Sequence, residues 1–198
     1  MSEKKPRLIV GILGSPQVGG NVDLLLDAAL QGAAEGGAAT EKLILNELSI
    51  RPCQGCGGCN ETGRCVIRDD MDLVYDAITR LDGMVLATPV YFGGVTAQTK
   101  AMIDRCQAFW ARKYLMKQPI SADGQNKYRD LLLLTTMGTD KPEHIEGVRT
   151  EVKFFLDTLD GQYAELIFPK IEQAGAIGDH WEAMAQAREA GARLVASR

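Results

Sequence analysis

The sequence predicts a single α/β domain, a five-stranded parallel sheet with helices on both faces. Three observations predict it. Short apolar runs of β type alternate along the whole chain with stretches whose apolar residues recur at helical spacing, the rhythm of parallel strands joined by crossover helices. The run Asp130 to Met137 (DLLLLTTM) is apolar without alternation, as befits a strand buried on both faces. The chain has 198 residues, 45% of them hydrophobic, which suffices for one core and is short for two, so residues 1–198 read as one domain.

The first strand is Leu8 to Gly14 (LIVGILG). A helix follows, with Val22, Leu25, Leu26, Ala29, Leu30 and Ala33 on one face of a 3.6-residue period, and Gly36-Gly37 stops it. Lys42 to Leu48 is a weaker second strand, and a cysteine-rich loop at 52–66 comes next. Asp69 or Asp70 suits the cap of a helix carrying Met71, Val74, Tyr75 and Ile78. Gly83 to Val90 is the third strand, and Thr96 to Trp110 reads as helix. The segment 111–128 has no clear period and reads as a long insertion or lid. Its Lys113, Tyr114, Lys117 and Lys127 suit a ligand cover, a pyridine-nucleotide phosphate site or a solvated interface loop. After the fourth strand, Val148, Val152, Phe155, Leu156 and Leu159 mark a helix, Tyr163 to Phe168 a fifth strand, and Gly178 to Ser197 an Ala-rich closing helix. The strand count favours the flavodoxin-type order 2-1-3-4-5 over a Rossmann-type sheet. In either, ligands bind at the carboxyl ends of the strands beside the switch point.

Composition removes several function classes. A formal net charge of -4 without a basic run argues against nucleic-acid binding. No stretch approaches the ~20 apolar residues of a membrane span. The charged start MSEKKPRLIV lacks the pattern of a signal peptide, so a cytoplasmic protein is expected. Five cysteines in such a chain point to metal or redox chemistry rather than disulfides, with Cys106, alone in a helix, read as a buried inert thiol. His144 and His180 are the only histidines and sit at helix ends, which disfavours a Cys–His hydrolase.

Three loops carry the functional signal. Gly14 to Asn21 (GSPQVGGN) joins the first strand to the first helix. Its small residues let backbone N–H groups and the helix N-terminus meet a phosphate. It lacks the GxxxxGK[ST] and GxGxxG patterns, and the alternative is a plain turn with Asn21 as cap. Thr88 to Val95 (TPVYFGGV) offers aromatics and glycines that either line a flat ring or plug the sheet end. Cys53, Cys56, Cys59 and Cys65 follow the spacing C-x2-C-x2-C-x5-C, with glycines at 55, 57 and 58. A [4Fe–4S] cluster, a structural zinc and a metal-free loop all remain open, the first favoured by the tight triplet.

Together GSPQVGGN, PCQGCGGCNETGRCVIRDDM and ATPVYFGGVTAQTKAMIDR resemble the iron–sulfur flavoproteins within the flavodoxin-like NAD(P)H-dependent FMN reductase superfamily, over residues 8 to about 110. The resemblance implies FMN with its phosphate on Ser15, Gln17, Gly20, Asn21 and Val22. Its ring would lie near Pro89, Val90, Tyr91, Phe92 and Gly93, with Met137 and Gly138 closing from the fourth strand. It also implies a [4Fe–4S] cluster on Cys53, Cys56, Cys59 and Cys65, and a homodimer or homotetramer. Gln17 and Val22 depart from it, since members often carry Arg and Thr or Ser there. Losing an Arg–phosphate contact removes ~1.5–3 kcal/mol, so weaker FMN retention is expected. The leading reading is an FMN redox protein that passes electrons between flavin and cluster, with NAD(P)H or a protein such as ferredoxin as partner. The protein binds and tunes the cofactors, and no catalytic acid or base is named. The rivals are a cluster-free NAD(P)H-dependent FMN or quinone reductase and a non-enzymatic flavodoxin-like carrier.

Overall fold

The protein is described by a computed structural model covering residues 5–125 and 128–196. Its strands are β1 (Leu8–Leu13), β2 (Ala39–Ile44), β3 (Gly83–Ala87), β4 (Arg129–Met137) and β5 (Gly161–Pro169). They form one sheet of order β2-β1-β3-β4-β5, and every neighbouring pair is parallel. The expected topology is therefore the observed one. The helices are α1 (Asn21–Glu35), α2 (Cys59–Thr62), α3 (Met71–Arg80), α4 (Ala97–Arg105), α5 (Gln107–Trp110), α6 (Glu146–Thr158) and α7 (Trp181–Ala196).

Side chains alternate across the sheet and build two cores. Ile9, Leu13, Val85, Ala87, Leu132 and Leu134 face α1 and α7. Val10, Ile12, Met84, Leu86, Leu131 and Leu133 face α3, α4 and α6. Every residue of β3 is buried, and β4 is buried save a half-buried Asp130, which is why neither strand alternates in sequence. On the first face α1 and α7 approach so closely that a Cβ at Gly191 would lie 1.8 Å from the carbonyl oxygen of Ala29, and one at Gly32 1.9 Å from that of Arg188.

The structure shifts several expected boundaries. β2 starts at Ala39, whose N–H bonds the Arg7 carbonyl at 2.8 Å, and ends at Ile44. The Leu45–Glu47 turn replaces the expected strand end because the chain bends there toward the cysteine loop. The helix expected over Thr96 to Trp110 breaks at Cys106, and a π-helical turn, Ala111–Leu115, continues it. The segment read as an insertion or lid is packed down. Ile120 is buried, the Tyr114 hydroxyl donates to Asp157 Oδ2 at 2.6 Å, and Lys113 Nζ sits 2.9 Å from Asp160 Oδ1. It thus closes on the end of α6. Lys127 and Ser197 lie outside the described residues. No described helix is long and apolar enough to cross a membrane.

Candidate functional site: a cleft at the sheet edge and a cysteine cavity

The chain leaves β1 toward β2 on one side, while β3 lies on the other, so the switch point falls between β1 and β3. The loop after β1 is pinned there from below. Gly14 N–H donates to the Ala87 carbonyl at 2.7 Å, and the Gly14 carbonyl accepts from the hydroxyl of Thr96. Thr96 caps α4 by accepting the Thr99 N–H at 3.3 Å, and Thr88, Thr96 and Thr99 are buried together. A Cβ at Gly14 would sit 1.9 Å from Thr99 Oγ1, so only glycine lets the loop settle on these threonines. Sequence reasoning missed this hydroxyl cluster. Its signal is the run of threonines at 88, 96 and 99 bracketing a loop.

Within the loop, Ser15 Oγ accepts the Gln17 N–H at 3.0 Å, and Asp23 accepts the Gly19 N–H at 2.7 Å. Gly19 has φ +75°, a conformation glycine adopts without strain. Gly20, not Asn21, is the N-cap of α1, and its side carries no capping group. The N–H groups of Asp23 and Leu24 donate to the Gly20 carbonyl at 3.0 Å, which leaves those of Asn21 and Val22, without an acceptor inside the helix, to an anion. Asn21 lines the cleft, yet its amide donates to the Gln173 carbonyl at 2.8 Å and accepts the Ile177 N–H at 3.1 Å. It ties α1 to the segment after β5 in addition to facing the cleft.

A cavity of about 230 Å³ opens above this loop. Ser15, Gln17, Asn21 and Val22 form one wall, Pro89, Val90 and Tyr91 a second, and Met137 and Gly138 a third. Gly20, Phe92 and Gly93 are not among its lining residues. Phe92 and Gly93 form the tip of a tight turn closed by reciprocal Tyr91–Gly94 backbone bonds of 3.0 Å. Phe92 is fully exposed with φ +50°, a left-handed backbone that is unusual for a bulky side chain. Thr136, Ile171 and Glu172 also line the cleft and were not anticipated. Ile171 and Glu172 reach it because β5 pairs with β4 up to Met137↔Pro169, which delivers the following residues to the same edge.

The four loop cysteines converge on a second cavity of about 200 Å³. Gly55 and Gly57 have φ of +61° and +75°, backbone angles that let the chain wrap this space, and the Gly55 N–H points at Cys53 Sγ at 3.5 Å. α2 begins at Cys59 and ends at Gly63, where φ is +65°. Burial raises the Cys59 thiol, and Cys65, Cys53 and Cys56 push it the same way. All five cysteines are free, and Cys106 is buried, with burial pushing its thiol up, as its inert reading requires. Among the described residues no three His, Cys, Asp or Glu side chains are grouped as a single metal ion requires.

Asp69 and Arg105 close the cysteine loop. Arg105 Nη1 meets Asp69 Oδ2 at 2.8 Å and Nη2 meets Oδ1 at 3.0 Å, a bidentate pair. The Arg105 guanidinium holds the Asp69 carboxyl at about 2, below the usual carboxylate range, helped by the N–H groups of Arg51 and Met71. Burial opposes the charge on Arg105, yet Asp69 holds it above its ordinary value.

The two cavities share no lining residue. The cleft rests on the Thr96 end of α4, and the cysteine cavity on its Arg105 end. Nine residues of helix separate them, about 14 Å at 1.5 Å per residue. From sequence, the cysteine loop is expected at the same sheet edge as the cleft, because it departs from the carboxyl end of β2. Contacts with Arg105 tie both ends of the loop to the last residue of α4.

With this geometry in hand, the kinship of the chain is plain. Residues 8–138 match the family described as NADPH-dependent FMN reductase, and the chain belongs to that family. An iron-sulfur flavoprotein of Methanocaldococcus jannaschii is 45% identical over 97 residues, 49% of this chain and 50% of the relative. Iron-sulfur flavoproteins of Archaeoglobus fulgidus and Methanosarcina thermophila are each 38% identical, over 72% and 58% of this chain and 60% of either relative. The chain spans about half to three fifths of the length of these relatives. In fold it is similar to an NAD(P)H:quinone oxidoreductase from Methanothermobacter marburgensis, with a TM-score of 0.72 at 16% identity over 96% of both chains. A flavone reductase gives a TM-score of 0.70 at 21% identity over 96% of this chain and 62% of that one.

Proposed function

We propose that the protein is an FMN-dependent oxidoreductase that also carries a [4Fe–4S] cluster on Cys53, Cys56, Cys59 and Cys65. The observation that carries the reading is the convergence of these four thiols on one cavity in a chain of the FMN reductase family. The residues present suit both groups. For FMN, the first N–H groups of α1 and the small Gly19-Gly20 approach suit a phosphate, while Pro89, Val90 and Tyr91 offer a flat wall to a ring. The cleft is smaller than the ~300–1,000 Å³ of whole-ligand sites, so a flavin would fill it in part and cover its rim with the rest. For the cluster, four cysteines around a common space supply the four thiolates that a [4Fe–4S] core takes.

When bound, FMN supplies exchange of one or two electrons, and a cluster supplies exchange of one at a time. The chain's own part is to bind and orient. The loop after β1 fixes the phosphate end, the Thr88–Thr96–Thr99 cluster keeps that loop rigid, and the glycine-rich cysteine loop shapes the second cavity. NAD(P)H as donor follows from the family resemblance. A one-electron protein such as ferredoxin would meet the face beside Cys65, where Arg64, Arg68 and Arg112 border a cavity of about 400 Å³. Asp72 and Asp76 stand among these arginines, and three cations against two carboxylates leave a face that suits an acidic partner. A homodimer or homotetramer in a reducing cytoplasm completes the reading, in keeping with five free thiols.

The test is protein purified and reconstituted without oxygen, with flavin, iron and acid-labile sulfide assayed. About four iron and four sulfide per chain beside one FMN support the two-centre protein. Flavin with neither iron nor sulfide leaves a cluster-free FMN or quinone reductase.

A further inference from the structure

The cysteine loop leaves the scaffold at Arg51 and returns to it at Ile67, and one side chain holds both points. Arg105 donates from Nη1 to the Arg51 carbonyl at 2.8 Å and from Nη2 to the Ile67 carbonyl at 3.3 Å. The same fork grips Asp69, which in turn accepts the Arg51 N–H at 3.0 Å. The arginine is itself anchored, since the Tyr75 hydroxyl donates to its carbonyl at 2.6 Å. Arg105 is 1% exposed, borders the cysteine cavity, and is the one charged residue among the described residues lining it. Its Nε is buried and has no hydrogen-bond partner among the described residues. Asp69 does not line the cavity.

A buried ion pair is a poor source of stability, because desolvating both charges offsets their attraction. Two features of this pair point beyond stability: the fork reaches both ends of a loop that has little core of its own, and its cation, not its anion, faces the thiols. We propose that Arg105 is the positioning residue of the cysteine loop and the fixed positive charge beside the four thiolates, setting how readily the centre they hold accepts an electron. This rests on the iron–sulfur reading of the cavity. The redox step is the gain of one electron from a one-electron donor. The loaded centre becomes more negative by one unit, no bond forms or breaks, and Arg105 keeps its protons throughout.

The experiment compares Arg105→Lys, Arg105→Gln and the double variant Arg105→Gln/Asp69→Asn, the last leaving no unpaired buried charge. Iron release to a chelator and the midpoint potential by EPR-monitored titration are read for each after anaerobic reconstitution. Arg105→Lys keeps the charge and loses the fork, so iron should leave at least tenfold faster with the potential near that of the wild type. Arg105→Gln should lower the equilibrium constant for reduction at least tenfold, a shift of 59 mV for one electron. The double variant should fold, lose iron about as fast as Arg105→Lys because the fork is gone, and still be harder to reduce than wild type. A merely structural arginine would change retention and leave the potentials of the retained clusters equal, and that result overturns the charge role. Unchanged iron release in Arg105→Lys overturns the positioning role. Wild-type protein that takes up neither iron nor sulfide defeats the iron–sulfur reading and the charge role together. The positioning role is then read separately in metal-free protein, where Arg105→Gln should speed amide exchange across residues 52–66 at least tenfold, and unchanged exchange overturns it.

Discussion

Asp69 or Asp70 reads in sequence as a helix cap; in the fold Asp70 is the N-cap of α3, and the Asp69 carboxylate does three things. It accepts the N–H of Met71 at the start of α3, accepts the N–H of Arg51 at the mouth of the cysteine loop, and pairs with Arg105. Its carboxyl, held at about 2 against an ordinary 3.8, makes a stability contribution that is present above pH 4 and is lost as pH falls toward 2. That contribution is on the order of 1–2 kcal/mol after allowance for solvent screening. Asp69→Asn should therefore be less stable than wild type at neutral pH, and the gap should narrow below pH 4. Urea unfolding of metal-free protein at stepped pH measures this, and a gap independent of pH sinks the account. Gln17 offers a second residue-scale prediction. It lines the cleft at the position where the resemblance implies an arginine, so Gln17→Arg should tighten FMN binding by ~1.5–3 kcal/mol, roughly ten- to a hundredfold. Flavin-fluorescence titration of apoprotein tests it, and equal affinity would remove the explanation offered for weak retention.

At the scale of elements, the sequence was most readable where one physical requirement acted alone. β4 was visible because a strand covered on both faces must be apolar throughout, and α1 because its buried face repeats every 3.6 residues. β2 was misplaced by a few residues because it is an edge strand with no fully buried residue, so its pattern is weak. The segment 111–128 looked formless because its order comes from partners far along the chain, Asp157 and Asp160. The cleft was legible through its loops at the switch point, whereas Ile171 and Glu172 were not, since they arrive by sheet pairing rather than by motif. The α1–α7 contact was equally hidden, because Gly32 and Gly191 look like weak points within helices. Gly191→Ala gains ~1 kcal/mol of helix propensity and must push a Cβ onto the backbone of Ala29, 1.8 Å away. Overpacking of that kind costs about 1–3 kcal/mol, so the variant should melt a few degrees lower. A variant melting at or above wild type would mean the two helices separate freely.

At the scale of the whole molecule, one helix joins two sites with different demands. α4 starts at Thr96, whose hydroxyl holds the loop of the flavin cleft, and ends at Arg105, which holds the cysteine loop. The loops meet the helix about 14 Å apart and their cavities have no residue in common. Perturbations more than ~7–10 Å apart without shared partners usually add independently. Cys65→Ser should accordingly lose iron while binding FMN with an unchanged dissociation constant, and Ser15→Ala should weaken FMN while leaving iron content as in wild type. Calorimetric FMN titration and iron assay on both variants check this. Loss of FMN affinity on removing a single thiol would mean that the two sites are coupled, with α4 the element that both loops grip. If the two occupancies are independent, the rigidity of α4 serves distance alone: it holds the cleft and the thiols at a fixed spacing, leaving each loop free to be tuned by its own residues, Gln17 at one end and Arg105 at the other.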